Sequence, residues 1–217
     1  MPASAEAPRL IRDDLGLALA QGDVVVRGDF YRMRPRLKPA NLARELVVRA
    51  AKVKGQTNEP LAVDATAGLG EDSFLLAAAG FRVLMFERNE IVAALLRDAL
   101  VRAASEPDLT DIVARMQLVE GDSVSALACL DEAPDVVLLD PMFPEKKKNA
   151  AVKKKLQLLQ QLERPCEDEA ALLEAACSAL PRKIVVKRPA KGPYLAGRKP
   201  SYSLAGKAVR YDCIVLR

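Results

Sequence analysis

The sequence contains no histidine, and its four cysteines form no CxxC pair. Zinc sites in proteins are built mainly from these two residue types at short spacings, so we expect no metal site. The absence of histidine also excludes the Ser-His-Asp and Cys-His arrangements of nucleophilic catalysis. Acid–base chemistry therefore falls to carboxylates, lysine, tyrosine or backbone groups. We interpret the cysteines as reduced structural residues of a cytoplasmic protein.

Long hydrophobic runs are also absent. The longest apolar stretches, such as "FLLAAAG", are far too short to cross a bilayer. The opening "MPASAEAPRLIRDD" has no basic segment followed by an apolar one, so we expect neither a signal peptide nor a membrane segment. Half of the 217 residues are hydrophobic, and charges of both signs are plentiful. This composition predicts one globular domain with a small appendage.

Positive charge is concentrated in two parts of the chain. Basic residues cluster from Arg27 to Lys54 and again from Arg182 to the end, whereas the centre is more acidic. Basic flanks around a less basic middle favour a polyanion lying across a central site, although one such cluster alone is equally typical of a solvated surface.

Strand and helix patterns alternate from residue 61 onwards. Short apolar runs such as "DVVLLD" alternate with helical segments, which predicts an α/β fold with a mostly parallel sheet covered by helices on both faces. A final hairpin near Gly206 would add an antiparallel strand. Residues 1–55 form a predicted N-terminal extension, separate from a domain over 56–217. In the extension we expect a loosely structured start over 1–22, two short strands around Gly28, and a basic helix from Pro39 to Gly55.

An acidic residue ends or follows each of four predicted strands. These residues are Asp64, Glu87, Asp122 and Asp140. A single acid at such a position is commonly a helix cap. In parallel sheets, however, ligands bind at the carboxyl ends of the strands. Four acids together therefore indicate a binding site at that edge.

The segment "DATAGLGED" contains a glycine turn. Gly68 and Gly70 allow a tight turn and a close approach of the backbone to a ligand. A nicotinamide dinucleotide site would have a third glycine where Ser73 stands, and acids beside a pyrophosphate would repel it. A positively charged ligand without phosphate fits better, and S-adenosyl-L-methionine is such a ligand. Glu87 is then placed for the ribose hydroxyls, and Asp122 and Ser123 for the adenine edge.

The segment "DPMFPEKKK" follows the fourth of these strands. Methyltransferases that act on base amines resemble it, with an acid or amide, a proline and an aromatic residue at this point. Asp140 would accept hydrogens of an exocyclic amine and take its proton, Pro141 would stiffen the turn, and Phe143 would stack on a base. The lysines that follow would meet phosphates beside a flipped-out base.

Several longer segments resemble one family. They are "VDATAGLGEDSFLLAAAGFRVLMFERNEIVAALLRDAL", "RMQLVEGDS", "LLDPMFPEKKKNAAVKKKLQLLQ" and "VVKRP". The chain thus resembles the ribosomal RNA small subunit methyltransferase J family over roughly residues 60–217. The resemblance implies the Rossmann-like class I methyltransferase fold, a seven-stranded sheet with an antiparallel last strand. It also implies methylation of a guanine N2 amine in 16S ribosomal RNA of the small ribosomal subunit, with S-adenosyl-L-methionine as cofactor.

The motifs and the resemblance together predict the site residues. The expected cofactor contacts are Asp64, Gly68, Gly70, Glu71, Asp72, Glu87, Arg88, Asp122, Ser123 and Asp140. The expected catalytic residues are Asp140, Pro141 and Phe143. The expected RNA contacts are Lys146, Lys147, Lys148, Lys187 and Arg188.

One region departs from the family pattern. The stretch "YRMRPRLKPANLARELVVRAAKVKG" is basic, but it lacks the glycines and the histidine that family members commonly carry before the linker. Two alternatives therefore stay open beside the guanine-N2 hypothesis. The first is the same chemistry on another base or a protein amine, and the second is a non-catalytic RNA-binding factor in ribosome assembly. A nicotinamide oxidoreductase is disfavoured by Ser73 and by the acidic turn.

Overall fold

The computed structural model describes residues 7–55, 58–141, 158, 159, 162 and 168–216. Among these residues the strands form a small N-terminal sheet and a larger main sheet. The N-terminal sheet consists of β1 (Arg9–Asp13), β2 (Gly16–Gln21) and β3 (Val24–Val26). The main sheet consists of β4 (Leu61–Asp64), β5 (Arg82–Glu87), β6 (Met116–Glu120), β7 (Val136–Leu139), β8 (Lys183–Pro189), β9 (Tyr202–Ala205) and β10 (Val209–Val215).

Eight α-helices lie within the described ranges. They are α1 (Arg34–Leu37), α2 (Pro39–Leu42), α3 (Leu46–Ala51), α4 (Glu71–Ala78), α5 (Glu90–Ala104), α6 (Thr110–Val113), α7 (Ser123–Ala126) and α8 (Glu169–Ser178). None of the described helices combines the length and the apolar character needed to span a membrane.

The main sheet has the spatial order β6-β5-β4-β7-β8-β10-β9 in the described part of the chain. Strands β4 to β8 pair in parallel, and β10 runs antiparallel to both of its neighbours. The predicted seven-stranded sheet with an antiparallel last strand is therefore confirmed. This order places β4 and β7 side by side. From β4 the chain first continues to β5 and β6 on one side, and it then returns to β7 and β8 on the other side of β4. Such a switch point is where parallel sheets bind ligands.

Hydrophobic cores lie on both faces of the main sheet. One face carries α3, α4 and α6, which contribute Val47, Phe74 and Val113 to a shared cluster. The other face carries α8, with Leu172 and Leu173 packed on the strands. Every residue of β7 is buried, which accounts for the unbroken apolar run in its sequence.

The N-terminal sheet packs on α5. Leu19 and Val26 form a cluster with Leu95 of that helix. The carboxylate of Asp98 accepts hydrogen bonds from the Arg12 guanidinium at 2.9 Å and from the backbone N–H of Leu17 at 3.0 Å. The start of the chain is therefore well attached from residue 9 onwards. The expectation of a loosely structured segment over 1–22 is wrong for that part.

Two further expectations for the extension are corrected. The strands do not flank Gly28 on both sides, because β3 ends at Val26 and a 3-10 helix follows at Tyr31–Met33. The helix predicted from Pro39 to Gly55 is divided into α2 and α3, since the backbone of Glu45 is extended between them. The ring of Phe30 stacks on that of Phe74 with 4.5 Å between centroids, so the extension shares a core with the main sheet. A boundary at residue 55 stays a prediction.

Candidate active site

The strand-end acids lie along one edge of the main sheet. Asp64 and Glu87 end β4 and β5, and Asp140 directly follows β7. These strands are neighbours or share a neighbour, so the side chains meet around one cavity of ≈ 320 Å³. Every residue predicted as a cofactor contact lines this cavity, and so do Pro141 and Lys187. Its volume and its position at the switch point are typical of small-molecule sites.

The glycine turn forms one wall of the cavity. Gly68 and Gly70 have φ angles of 56° and 76°, in the left-handed region that favours glycine. The N–H of Gly70 donates to the carbonyl of Ala67 at 2.8 Å, which closes the turn. Helix α4 begins directly afterwards, and Glu71 and Asp72 lie in its first turn, where the helix dipole favours acids.

Glu87 fixes two backbone segments. Its carboxylate accepts hydrogen bonds from the N–H of Gly68 at 2.9 Å and from the N–H of Asn89 at 2.8 Å. Burial raises the pKa of Glu87 above its ordinary value. The side chain therefore holds the glycine turn against the end of β5. The contact of Glu87 with a ribose stays a prediction. So does a contact of the adjacent Arg88 with the cofactor.

Asp64 is buried beneath the glycine turn. Its carboxylate accepts hydrogen bonds from the Ser73 hydroxyl at 2.6 Å and from the Thr66 N–H at 3.1 Å. Burial raises the pKa of Asp64 to about 7. From the sequence, Ser73 was noted only because it stands where a dinucleotide site would have its third glycine. In the structure its hydroxyl is a hydrogen-bond donor to Asp64.

Asp122 lies at the end of the cavity nearest β6. It follows that strand by two residues and caps α7, since its carboxylate accepts from the Ser125 N–H at 3.3 Å. The cap of α7 is therefore Asp122 rather than Ser123, which is the first helical residue and is buried. Contacts of either residue with an adenine edge stay a prediction.

Asp140 is held from both its backbone and its side chain. Its N–H donates to the Thr66 hydroxyl at 2.6 Å, and its carboxylate lies 3.0 Å from the ammonium of Lys187. The same ammonium lies 3.0 Å from the carboxylate of Asp72, which also accepts a hydrogen bond of 2.9 Å from the hydroxyl of Tyr211. Neither Thr66 nor Tyr211 was predicted from the sequence to belong to the site. Phe143, Lys146, Lys147 and Lys148 lie outside the described residues.

The two basic residues of "VVKRP" have different environments. Lys187 reaches the cavity, and although burial lowers the pKa of its ammonium, the two adjacent carboxylates raise it above the ordinary value. The side chain of Arg188 is fully buried, with its Nε donating to the carbonyl of Pro193 at 2.8 Å and its Nη1 3.4 Å from Glu169. Consecutive strand residues point to opposite faces, which separates the pair. The predicted RNA contact at Arg188 is therefore not accessible in this structure.

The cavity suits a cationic ligand with several hydroxyl and amino groups. Two basic side chains line it, those of Arg88 and Lys187, and they are outnumbered by six acidic ones, at Asp64, Glu71, Asp72, Glu87, Asp122 and Asp140. A β-carbon added at Gly68 would meet no atom within 4 Å, so a ligand has room to approach the backbone there. These properties fit S-adenosyl-L-methionine. Within the described ranges, no group of three or more cysteine, histidine or acidic side chains could hold a metal ion.

Comparisons with known proteins agree with this geometry. A family model described as "Putative SAM-dependent methyltransferase" matches residues 9–216. The chain is 43% identical over 214 residues to the ribosomal RNA small subunit methyltransferase J of Thioalkalivibrio sulfidiphilus, an alignment that covers 95% of this chain and 84% of that protein. It is 49% identical over 154 residues to the protein of the same name from Pseudomonas aeruginosa, over 70% of this chain and 59% of that one. A crystal structure of a SAM-dependent methyltransferase from Neisseria gonorrhoeae matches with a TM-score of 0.76 at 32% identity, over 99% of this chain and 85% of that one.

Proposed function

Because the chain belongs to the ribosomal RNA small subunit methyltransferase J family, we propose that it methylates the N2 amine of a guanosine in 16S ribosomal RNA, with S-adenosyl-L-methionine as the methyl donor. The small-subunit substrate is supported by the printed name of its relatives. The choice of the guanine N2 amine is supported by the family resemblance of the Asp-Pro segment that follows β7. We assign the reaction to the cytoplasm, where bacterial ribosomes are found.

The arrangement of Asp140 carries the proposal. An exocyclic base amine is a weak nucleophile, because its lone pair is delocalised into the ring. The Asp140 carboxylate and a neighbouring backbone carbonyl would accept its two hydrogens and so direct the lone pair of N2 at the methyl group. Thr66 and Lys187 already hold the backbone and the carboxylate of Asp140, so this group is oriented before the substrate arrives.

The other strand-end residues would bind the cofactor. Glu87 is positioned for the ribose hydroxyls, Asp122 and Ser123 for the adenine edge, and the glycine turn with its acids for the cationic methionine part. When bound, the cofactor would supply an electrophilic methyl group to N2, and its sulfur would keep the electron pair of the broken carbon–sulfur bond. Asp140 takes the proton that N2 then releases. Stacking of the base on Phe143 and phosphate contacts at Lys146, Lys147 and Lys148 belong to the same proposal.

The test uses small ribosomal subunits from cells that lack this protein. Purified protein and S-adenosyl-L-methionine with a tritiated methyl group are added, and the 16S ribosomal RNA is digested to nucleosides. We expect labelled N2-methylguanosine. We also expect Asp140→Asn to lose turnover but keep most of its cofactor affinity in calorimetry, whereas the exposed Asp111→Asn control keeps both.

The other outcomes separate the alternatives. Label in N6-methyladenosine or in a ribosomal protein would overturn the guanine-N2 assignment but keep the methyltransferase activity. No label, with an active control enzyme in the same preparation, would reject the proposed substrate. If cofactor binding were also absent, a non-catalytic role in ribosome assembly would replace the proposal.

A further inference from the structure

Lys187 joins two acids from different parts of the fold. Its Nζ lies 3.0 Å from the carboxylate of Asp72 in the first turn of α4 and 3.0 Å from that of Asp140 after β7. The side chains of Lys187 and Asp140 are 27% and 40% exposed and that of Asp72 is 13% exposed, so this double ion pair is partly shielded from water. Shielded ion pairs interact far more strongly than those on an open surface.

Tyr211 completes the group from the neighbouring strand. It is the direct cross-strand partner of Lys187 in the β8–β10 pair, and its hydroxyl donates to Asp72 at 2.9 Å. The four side chains therefore form one chain of contacts, from Tyr211 through Asp72 and Lys187 to Asp140. It draws on α4, β8, β10 and the end of β7.

Without Lys187, the carboxylates of Asp72 and Asp140 would lack the ammonium that lies 3.0 Å from each of them, and their mutual repulsion would favour protonation of one. Burial raises the pKa of Asp140, the Lys187 ammonium opposes that increase, and the nearby Asp72 adds to it. The charged and titratable groups that influence Asp140 in the described part of the chain are Lys187 and Arg188 on β8, Asp72 on α4, Tyr211 on β10 and Asp64 on β4. The Nζ of Lys187 lies 3.0 Å from the Asp140 carboxylate, whereas Arg188 is fully buried with its Nη1 3.4 Å from Glu169.

We propose that Lys187 is a positioning residue, which keeps Asp140 ionised and correctly oriented while Tyr211 fixes the shared partner Asp72. This inference rests on the proposed function, in which Asp140 accepts the proton of the target amine. It gives Lys187 a role at the reacting atoms instead of the RNA contact predicted from the sequence.

Lys187 would act on the proton transfer without exchanging a proton itself. As the new carbon–nitrogen bond forms, N2 becomes positively charged, and one of its hydrogens passes to the ionised Asp140 carboxylate. The products are the neutral methylated base and a protonated Asp140, which returns its proton to solvent after release. Lys187 keeps its own proton throughout, so its effect is electrostatic and the reaction needs no further reactant.

The first experiment compares pH profiles of kcat for the wild type, Lys187→Met, Lys187→Arg, Tyr211→Phe and the control Lys191→Met. Lys191 is an exposed lysine shortly after β8, so its replacement removes a positive charge without touching the network. For Lys187→Met we expect kcat to fall at least ~10-fold at pH 7, within the range typical of acid–base catalysis. The acid limb of the profile should move to higher pH. Lys187→Arg should recover part of the loss, and Tyr211→Phe should show a smaller shift in the same direction.

An RNA contact would give a different result. Replacing a lysine that binds a phosphate raises KM for the ribosomal substrate and lowers the salt dependence of binding, with no movement of the pH profile. That pattern in Lys187→Met would overturn the proposal. A uniform loss of kcat at every pH would also overturn it, because a merely structural role predicts such a loss.

The second experiment does not depend on activity. In protein labelled with carbon-13 at the aspartate carboxyl groups, the Asp140 signal is the one missing from Asp140→Asn. We expect it to titrate at higher pH in Lys187→Met than in the wild type, and unchanged titration would reject the proposal. If the wild type does not methylate ribosomal RNA, the proposed function fails, whereas this titration still decides the role of Lys187.

Discussion

The hydroxyl of Thr66 accepts a hydrogen bond of 2.6 Å from the backbone N–H of Asp140, and this contact joins the turn after β4 to the end of β7. Thr66→Val keeps the side-chain shape but leaves that N–H without its acceptor, which costs about 1–3 kcal/mol. If this loss raises the activation free energy of methyl transfer, kcat decreases by about 10-fold for each 1.4 kcal/mol. We expect such a loss with little change in cofactor affinity. The control is Thr110→Val, an exposed threonine bonded only to nearby carbonyls. A kcat equal to that of the control would contradict the prediction.

The raised pKa of Asp64 can be tested by measuring the free energy of unfolding as a function of pH. Burial raises its pKa to about 7 in the folded protein, whereas an aspartate in an unfolded chain titrates near ~3.9. Between these values the folded state holds a proton that the unfolded state has lost. This group therefore lowers stability as the pH rises, and its effect levels off above about pH 7.

Asp64→Asn removes that titration. Without cofactor, we expect its free energy of unfolding, relative to the wild type, to increase by up to roughly 4 kcal/mol between pH 4 and pH 7. Urea unfolding at four or five pH values measures the difference, with the exposed Asp111→Asn as the control. A difference that stays constant over this range would show that Asp64 titrates normally in the fold.

Alanine substitutions at Gly68 and Gly22 can distinguish an effect on ligand binding from an effect of backbone strain. Gly68 and Gly22 have nearly the same φ, 56° and 54°, and a β-carbon at either would meet no atom within 4 Å. Alanine at each should therefore cost a similar ~1–2 kcal/mol of stability. Only Gly68 lines the cavity and donates its N–H to Glu87. Calorimetry should show a clear loss of cofactor affinity for Gly68→Ala and none for Gly22→Ala, and equal affinities would remove the glycine turn from the proposed cofactor site.

The stacked pair of Phe30 and Phe74 tests whether the extension folds with the main sheet. Phe30 is 1% exposed and belongs to the same hydrophobic cluster as α3 and α4. Phe30→Ala should destabilise the whole protein by about 3–5 kcal/mol in one cooperative unfolding transition. Leu15→Ala, at a residue that is 67% exposed, should change stability by less than about 0.5 kcal/mol. An unchanged main transition in Phe30→Ala would instead support an independent extension over 1–55.

The strand-end acids were predictable because chain order and geometry coincide in a parallel sheet. Asp64, Glu87 and Asp140 each end or follow a strand, and all of these strands run in the same direction. The rule does not apply to Tyr211, because β10 is antiparallel and brings its beginning, not its end, to the cavity edge. Lys187 was predicted only as an RNA contact. Its two ion-pair partners come from distant segments that no local pattern connects.

Strands β1 and β2 of the N-terminal sheet were missed for a different reason. Strand β2 reads "GLALAQ" and is almost wholly buried between its neighbours and α5, so the polar alternation typical of a two-faced strand is absent. Arg188 shows the reverse problem, since a basic residue beside Lys187 looks accessible in the sequence. Strand periodicity could have separated them, because adjacent residues of β8 face opposite sides of the sheet.

The position of β10 has a consequence for how the active site assembles during folding. Tyr211 and Asp72 are 139 residues apart in the chain, and β10 lies between β8 and β9 rather than at an edge of the main sheet. Contacts over such long sequence separations form slowly, because much chain entropy is lost before they are made. A nascent chain that has already formed β4 to β8 would hold the cofactor turn and Asp140, yet it would lack the hydroxyl that fixes Asp72. The proposed network is therefore complete only once β10 lies beside β8 and its Tyr211 reaches Asp72.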